Sequence, residues 1–64
     1  MTKNERDNWI DSIARSVTFI EAELGPSVPA SVYERFDASN IWELSDCDLP
    51  EVFSELYAIE ADLR

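Results

Sequence analysis

Carboxylates supply the most distinctive chemistry in this chain, and four of them recur at helical spacing near its end. We call them the acidic stripe, which consists of Asp48, Glu51, Glu55 and Asp62. On a helical wheel of about 100° per residue, they fall within roughly 60° of one another. Like charges at i,i+3 and i,i+4 repel, so a hydrophobic core gives no reason for this arrangement. No Lys or Arg lies between residues 36 and 63, and we therefore expect no nearby neutralising partner.

Enzymatic chemistry has little support in the composition. The chain has no His and a single Cys, Cys47, whose neighbours Asp46 and Asp48 disfavour a thiolate. A phosphate-binding glycine-rich loop is absent because Gly25 is the only glycine. We therefore predict a protein that is not an enzyme, with no catalytic residue and no bound cofactor.

A metal site is also not expected. Asp46, Asp48 and Glu51 are similar to the start of a calcium-binding loop. Pro50 then occupies the fifth position, no Gly occupies the sixth, and Tyr57 replaces the Glu of the twelfth.

Length and charge limit the class of protein. The 64 residues fit one domain, 1–64, and a hydrophobic content of 45% is too high for a disordered tail. A net charge of −9 argues against direct binding to nucleic acid or to an anionic membrane. No segment has the ~20 apolar residues of a membrane span or the apolar run of a signal peptide. The single Cys is typical of a reducing compartment, so we expect a cytoplasmic protein.

Two long helices must position these residues. Residues 2–24 form the first, with Thr2 and Glu5 as a capping box and Gly25 at its end. The last helix lies within residues 46–63, with Asp48 and Glu51 as its capping box. Its apolar face has three- and four-residue spacing and consists of Leu49, Val52, Phe53, Leu56, Ile59 and Leu63.

The middle of the chain predicts shorter elements. A second helix runs from about Val28 or Val32 to Phe36. Ser31 with Glu34 is a capping box for the later start, and Ser27 with Pro29 in the first turn is a rival start. Asn40 can then cap a short helical turn that contains Trp42. No segment alternates as a strand would, so we predict an all-α bundle of two long helices and one or two short helices.

The acidic stripe has several interpretations. It can be a solvated face that keeps the protein soluble, an adaptation to a salty cytoplasm, or a generic acidic contact. The interpretation we favour is that it mimics a phosphate backbone, since residues 48 and 62 lie about 21 Å apart along a helix. The predicted partner-binding residues are Glu43, Asp46, Asp48, Glu51, Glu55 and Asp62.

The size, the starting Met1, the −9 charge and a run of acids together resemble a known group. That run consists of Asp37, Glu43, Asp46, Asp48, Glu51, Glu55, Glu60 and Asp62. The chain is similar to the anti-CRISPR proteins of phages and mobile elements, and most of all to inhibitors of type I systems, type I-C in particular. The likeness covers the whole chain without a shared motif. It implies a DNA mimic that binds the basic surface of a CRISPR effector complex.

We therefore expect a non-enzymatic inhibitor that binds a basic nucleic-acid-binding protein. The alternative is a small helical interaction module, antitoxin-like or a dimeric regulator, that acts through apolar contacts of Phe19, Trp42 or Tyr57. Phe19 lies away from the apolar stripe of its helix, so it either packs under the following connector or is exposed.

Overall fold

Three α-helices and two short 3₁₀ helices make up the computed structural model, which describes residues 1–64. The helices are α1 (Lys3–Leu24), α2 (Ser27–Arg35) and α3 (Leu49–Leu63). Between α2 and α3 lie a first 3₁₀ turn (Ile41–Glu43) and a second 3₁₀ turn (Asp46–Asp48). The expected all-α bundle with two long helices is confirmed, and its short elements number three (α2 and the two 3₁₀ turns) instead of the predicted one or two. None of these helices combines the length and the apolar character needed to cross a membrane.

The start of α1 forms as the sequence predicts, and the helix ends at Gly25 as expected, although with ψ of 172° Gly25 is not the predicted left-handed helical cap. The Thr2 hydroxyl accepts a hydrogen bond from the Glu5 N–H at 3.2 Å, and the Glu5 carboxylate accepts one from the Thr2 N–H at 3.5 Å. This reciprocal capping box fixes the first turn. At the other end, Gly25 has φ of 86°, a conformation that L side chains rarely adopt, so glycine allows the chain to leave the helix there.

The start of α2 differs from one of the two predicted starts. The helix begins at Ser27, so Ser31 and Glu34 lie inside it and the capping box expected of them does not form. Pro26 precedes the helix in a helical conformation, and Pro29 lies in its first turn. Both prolines have φ preset for a helix at positions where an N–H has no partner, so no side-chain cap is needed.

The predicted capping box of α3 is wrong. Asp48 has helical backbone angles, φ −90° and ψ −18°, and its side chain makes no capping hydrogen bond. A capping residue needs an extended backbone to turn its side chain back toward the first helical amides. Asp48 instead ends the second 3₁₀ turn, which leads directly into α3. Pro50 does occupy the first turn of α3, as expected.

The core lies where α1 and α3 pack together, with α2 and the connecting segment covering one side. Its fully or almost fully buried hydrophobic residues are Ile10, Ile13, Ile20, Val32, Tyr33, Ala38, Leu44, Leu49, Val52 and Leu56. Leu56, at the centre of the apolar face of α3, has no exposed surface, which confirms its predicted burial.

Replacing Leu56 by Ala should lower the free energy of unfolding by about 2–5 kcal/mol, through lost burial and a residual cavity. Leu24→Ala is the matched control, because Leu24 is 47% exposed and lies at the end of α1. We expect the control to change stability by less than about 0.5 kcal/mol. Urea unfolding followed by circular dichroism measures both, and equal losses would contradict the burial of Leu56.

The buried phenol of Tyr33 makes stability depend on alkaline pH. Burial, with a smaller contribution from the Glu21 carboxylate, raises the pKa of Tyr33 above its ordinary value of 10.0. The folded protein therefore holds the phenolic proton more tightly than the unfolded chain does. This contribution to stability is fully present below about pH 10 and is lost as the pH rises through the raised pKa.

We therefore expect the unfolding free energy to fall between about pH 9 and pH 11, and Tyr33→Phe to reduce that fall. Tyr57→Phe is the matched control, because the Tyr57 side chain is 55% exposed. Urea titrations at both pH values measure the effect. If the loss of unfolding free energy persisted in Tyr33→Phe but disappeared in Tyr57→Phe, the pH dependence would belong to Tyr57, and the assignment to Tyr33 would be wrong.

Candidate functional site

The acidic stripe lies on α3 and at its start, but its members differ in exposure. Glu51 and Asp62 are exposed, whereas Asp48 and Glu55 are half-buried. Glu51 and Asp62 take part in no ion pair. Both ends of α3 therefore present a free carboxylate to solvent.

The expectation that nothing neutralises the stripe is wrong at Glu55. Arg35, the last residue of α2, places its Nη1 atom 2.6 Å from Oε1 of Glu55. The two residues are twenty positions apart in sequence, and packing of α2 beside α3 brings them together. The negative charge of Glu55 is thus balanced, so the unpaired acids of α3 that remain, Glu51 and Asp62, lie on either side of it.

Asp46, also predicted to bind a partner, is paired with Arg6 of α1. The Arg6 Nη1 atom lies 2.6 Å from the Asp46 carboxylate and 3.0 Å from the Leu44 carbonyl oxygen. Its Nη2 atom donates to the Trp42 carbonyl oxygen at 3.1 Å. The Arg6 guanidinium therefore links the segment that contains both 3₁₀ turns to α1. The sequence carried a signal for this, since Arg6 lies four residues before buried Ile10 and so on the inner side of α1.

Trp42 is fixed by its backbone while its side chain stays in solvent. The Asn40 side chain accepts a hydrogen bond from the Trp42 N–H at 2.9 Å, as the expected cap of this turn requires. Glu43 accepts one from the Ser39 N–H at 2.6 Å. With its main chain held from both sides, Trp42 nevertheless leaves 69% of its surface exposed. An aromatic side chain thus stands beside an acid that has no basic partner.

The balance of charge is strongly negative after pairing. All four arginines pair, with Asp11, Asp46, Glu55 and Glu60. Ten of the fourteen acids therefore have no ion-pair partner. Four of the six predicted partner-binding residues belong to these ten. We call them the unpaired set, which consists of Glu43, Asp48, Glu51 and Asp62.

A second feature, missed by the sequence reasoning, lies on the other flank of α3. Glu60 is only 9% exposed, and its carboxylate lies 2.9 Å from Nη2 of Arg64. The Arg64 guanidinium also lies 4.9 Å from the centre of the Phe19 ring, which is half-buried. The spacing could have indicated this burial, because Glu60 follows Leu56 by four residues and so shares its face.

Aromatic rings line the same flank. Trp9 of α1 packs edge-on against Phe53 of α3, with ring centres 5.8 Å apart. Tyr57, one turn further along α3, lies 5.8 Å from Phe53 and is 55% exposed. Beside these rings a groove of about 530 Å³ runs between α1 and α3. The surface of the protein thus has an acidic flank and an aromatic flank.

Metal and cysteine chemistry gain no geometric support. No three Cys, Asp or Glu side chains converge as ligands for a metal ion. Cys47 is exposed, and its Sγ atom lies 3.9 Å from the Asp48 carboxylate rather than near a base.

Comparisons with protein-family models, with curated proteins and with solved structures found no match for this chain. The function proposed below therefore rests on the geometry and charge of the chain itself.

Replacing Arg6 by Ala should loosen the segment with the two 3₁₀ turns. Arg6 is 28% exposed and makes two hydrogen bonds to carbonyl oxygens besides its ion pair. Because hydrogen bonds to a charged group are stronger than neutral ones, we expect a loss of about 1–3 kcal/mol in unfolding free energy. Faster hydrogen exchange at the Leu44 amide should accompany it.

Arg15→Ala is the matched control for this change. Arg15 also forms an ion pair, with Asp11, but both side chains are well exposed, at 81% and 62%. Such a surface pair contributes less than about 1 kcal/mol. Equal losses of stability in the two variants would contradict the claim that the Arg6 guanidinium stabilises the packing of this segment on α1.

Proposed function

We propose that this protein is a non-enzymatic inhibitor that mimics nucleic-acid charge and occupies the basic DNA-binding surface of a CRISPR effector complex or of another DNA-binding protein. The observation that carries the proposal is the excess of exposed carboxylate without a basic partner on and before α3. Each arginine of the chain is already paired and Lys3 is the one other basic side chain, so most of this excess can be neutralised only from outside.

The spacing of the free carboxylates supports contact with a surface made for DNA. Glu51 and Asp62 are eleven residues apart, which is about 16 Å along a helix. Phosphates along one strand of a duplex follow at roughly 3.4 Å of axis, so the two acids span several phosphate positions. A helix is also preformed, which lowers the entropy lost when its charges meet Lys and Arg of the target.

The unpaired set would carry the contact. Exposed Glu51 and Asp62 are free to form charge-assisted hydrogen bonds with basic side chains of the target. Glu43 already accepts from the Ser39 N–H and Asp48 is half-buried, so these two would contribute through the lone pairs that remain.

Asp46 and Glu55 would contribute less, because Arg6 and Arg35 already neutralise them. Trp42, next to Glu43 and 69% exposed, would supply an apolar anchor, since interface hot spots are enriched in Trp.

The phage or mobile-element origin and the type I target follow from the resemblance described above and are part of the same proposal. As such an inhibitor, the protein would act in the cytoplasm, that of the host cell if a phage encodes it. It would contact the effector protein and not the nucleic acid, because its own field repels phosphate.

A second candidate function is a small helical interaction module, antitoxin-like or a dimeric regulator. The observation that favours it is the exposure of two aromatic side chains, 69% for Trp42 and 55% for Tyr57. In that case apolar burial, and not charge, would dominate binding.

Charge reversal distinguishes the two candidates. Glu51→Lys with Asp62→Lys reverses two unpaired acids on α3 and should weaken binding to a purified type I effector complex by at least about tenfold. The loss should be larger at about 50 mM than at about 200 mM salt, since salt screens the interaction. Isothermal titration calorimetry measures the affinities, and circular dichroism checks that the helix content is retained.

The control is Asp7→Lys with Asp11→Lys, which changes net charge equally on the first half of α1. It also removes the ion pair of Asp11 with Arg15, which is a surface pair worth less than about 1 kcal/mol. Charges farther than about 8–10 Å from the contact are largely screened at physiological salt, so this control should lose less affinity. Equal losses would indicate a bulk charge effect. Unchanged binding in the α3 variant, with a large loss in Trp42→Ala, would overturn the DNA-mimic proposal in favour of the interaction module.

A further inference from the structure

The groove between α1 and α3 lies on the flank of α3 opposite to the acidic stripe. On a wheel of about 100° per residue, Glu60 and Phe53 lie on one side of Leu56 and Glu51 and Glu55 on the other. The groove has a volume of about 530 Å³. Its aromatic lining consists of Phe19, Phe53 and Tyr57. It is an open groove and not an enclosed cavity, so its chemistry and not its size is informative.

The chemistry of the groove is that of a cation site. The Glu60 carboxylate lies in its lining and is almost buried, with 9% of the residue exposed. A carboxylate removed from water needs a cationic or hydrogen-bonding partner, because its desolvation is otherwise uncompensated. An aromatic ring face also attracts a cation, through the negative potential over the ring. Glu60 and the ring of Phe19 provide both attractions in one groove.

Arg64 shows which cation fits. Its guanidinium lies 2.9 Å from the Glu60 carboxylate and 4.9 Å from the centre of the Phe19 ring. Its own side chain is nevertheless 64% exposed. Glu60 lies within α3, whereas Arg64 follows the end of that helix and keeps most of its long side chain in solvent. An ion pair whose cation is largely in solvent contributes little to stability, so an external guanidinium can compete with Arg64 for Glu60.

We infer that this groove binds an arginine side chain presented by a partner protein, and that Arg64 is the internal occupant which that side chain displaces. The partner's guanidinium bonds to the Glu60 carboxylate and stacks on the ring of Phe19, as that of Arg64 does here. Arginine is favoured over lysine because its planar fork matches a carboxylate and stacks on aromatic rings. The net charge of −9 favours a basic partner. The inference does not require the acidic stripe to bind anything.

The test uses a small probe, acetyl-glycyl-arginyl-glycine amide, titrated into ¹⁵N-labelled protein and followed by NMR chemical shifts. Shifts should concentrate at residues of the groove. Arg64→Ala vacates the site and should tighten binding of the probe by roughly three- to tenfold. Glu60→Gln keeps the shape but removes the charge, and should weaken it by about tenfold. The acetyl-glycyl-glutamyl-glycine amide should produce no saturable shift.

Arg15→Ala is the matched control for the gain. Arg15 also lines the groove and its loss changes net charge equally, but it pairs with Asp11 and leaves Glu60 occupied. Equal tightening in Arg15→Ala and Arg64→Ala would reduce the effect to bulk charge and overturn the inference. Probe binding that is unchanged by Glu60→Gln would overturn it as well.

Phe19→Leu keeps the proposal testable if Glu60→Gln unfolds the protein. This variant retains apolar volume but lacks the aromatic face, and should weaken probe binding several-fold. Unchanged binding in Phe19→Leu would exclude the stacking contact and so the proposed site.

Discussion

The structure depends on burial of the apolar face of α3 against α1. Leu49, Val52 and Leu56 have no exposed surface, and they meet Ile13 and Ile20 of α1, which are equally buried. A chain of 64 residues has little other apolar surface to remove from water, so this contact must outweigh both chain entropy and the repulsion within a −9 charge. It also sets the rotation of α3, and that rotation turns the acidic stripe to one flank and the aromatic groove to the other.

The fold could largely be predicted because hydrophobic periodicity is strong in both long helices. The Thr2 capping box, the Gly25 terminus and the burial of Leu56 all follow from local sequence, and the structure confirms them. The predicted caps at Asp48 and Ser31 are wrong for a shared reason. In both places the chain already has helical geometry before the residue, from a 3₁₀ turn or from two prolines, so the extended backbone of a capping residue is not available.

The site could be predicted only in part, because ion pairs depend on distances in space. The acids of α3 were found from their spacing, but their neutralisation by Arg35 and Arg6 required the packing of three helices. The unpaired set is what remains after these pairs, and it is smaller than the set of six predicted from sequence. Glu60 shows the opposite failure: the sequence analysis names it only as one of a run of acids, although its spacing from Leu56 places it on the buried face.

The proposed mimicry makes one demand that no other function of an acidic helix makes, which is mutual exclusion with DNA. The most direct measurement is the fluorescence anisotropy of a labelled duplex bound to a type I effector complex, recorded as this protein is added. Mimicry predicts that the anisotropy falls to that of free duplex, with a midpoint that rises linearly with the concentration of free duplex. An anisotropy that stays constant, or rises because a ternary complex forms, would contradict it.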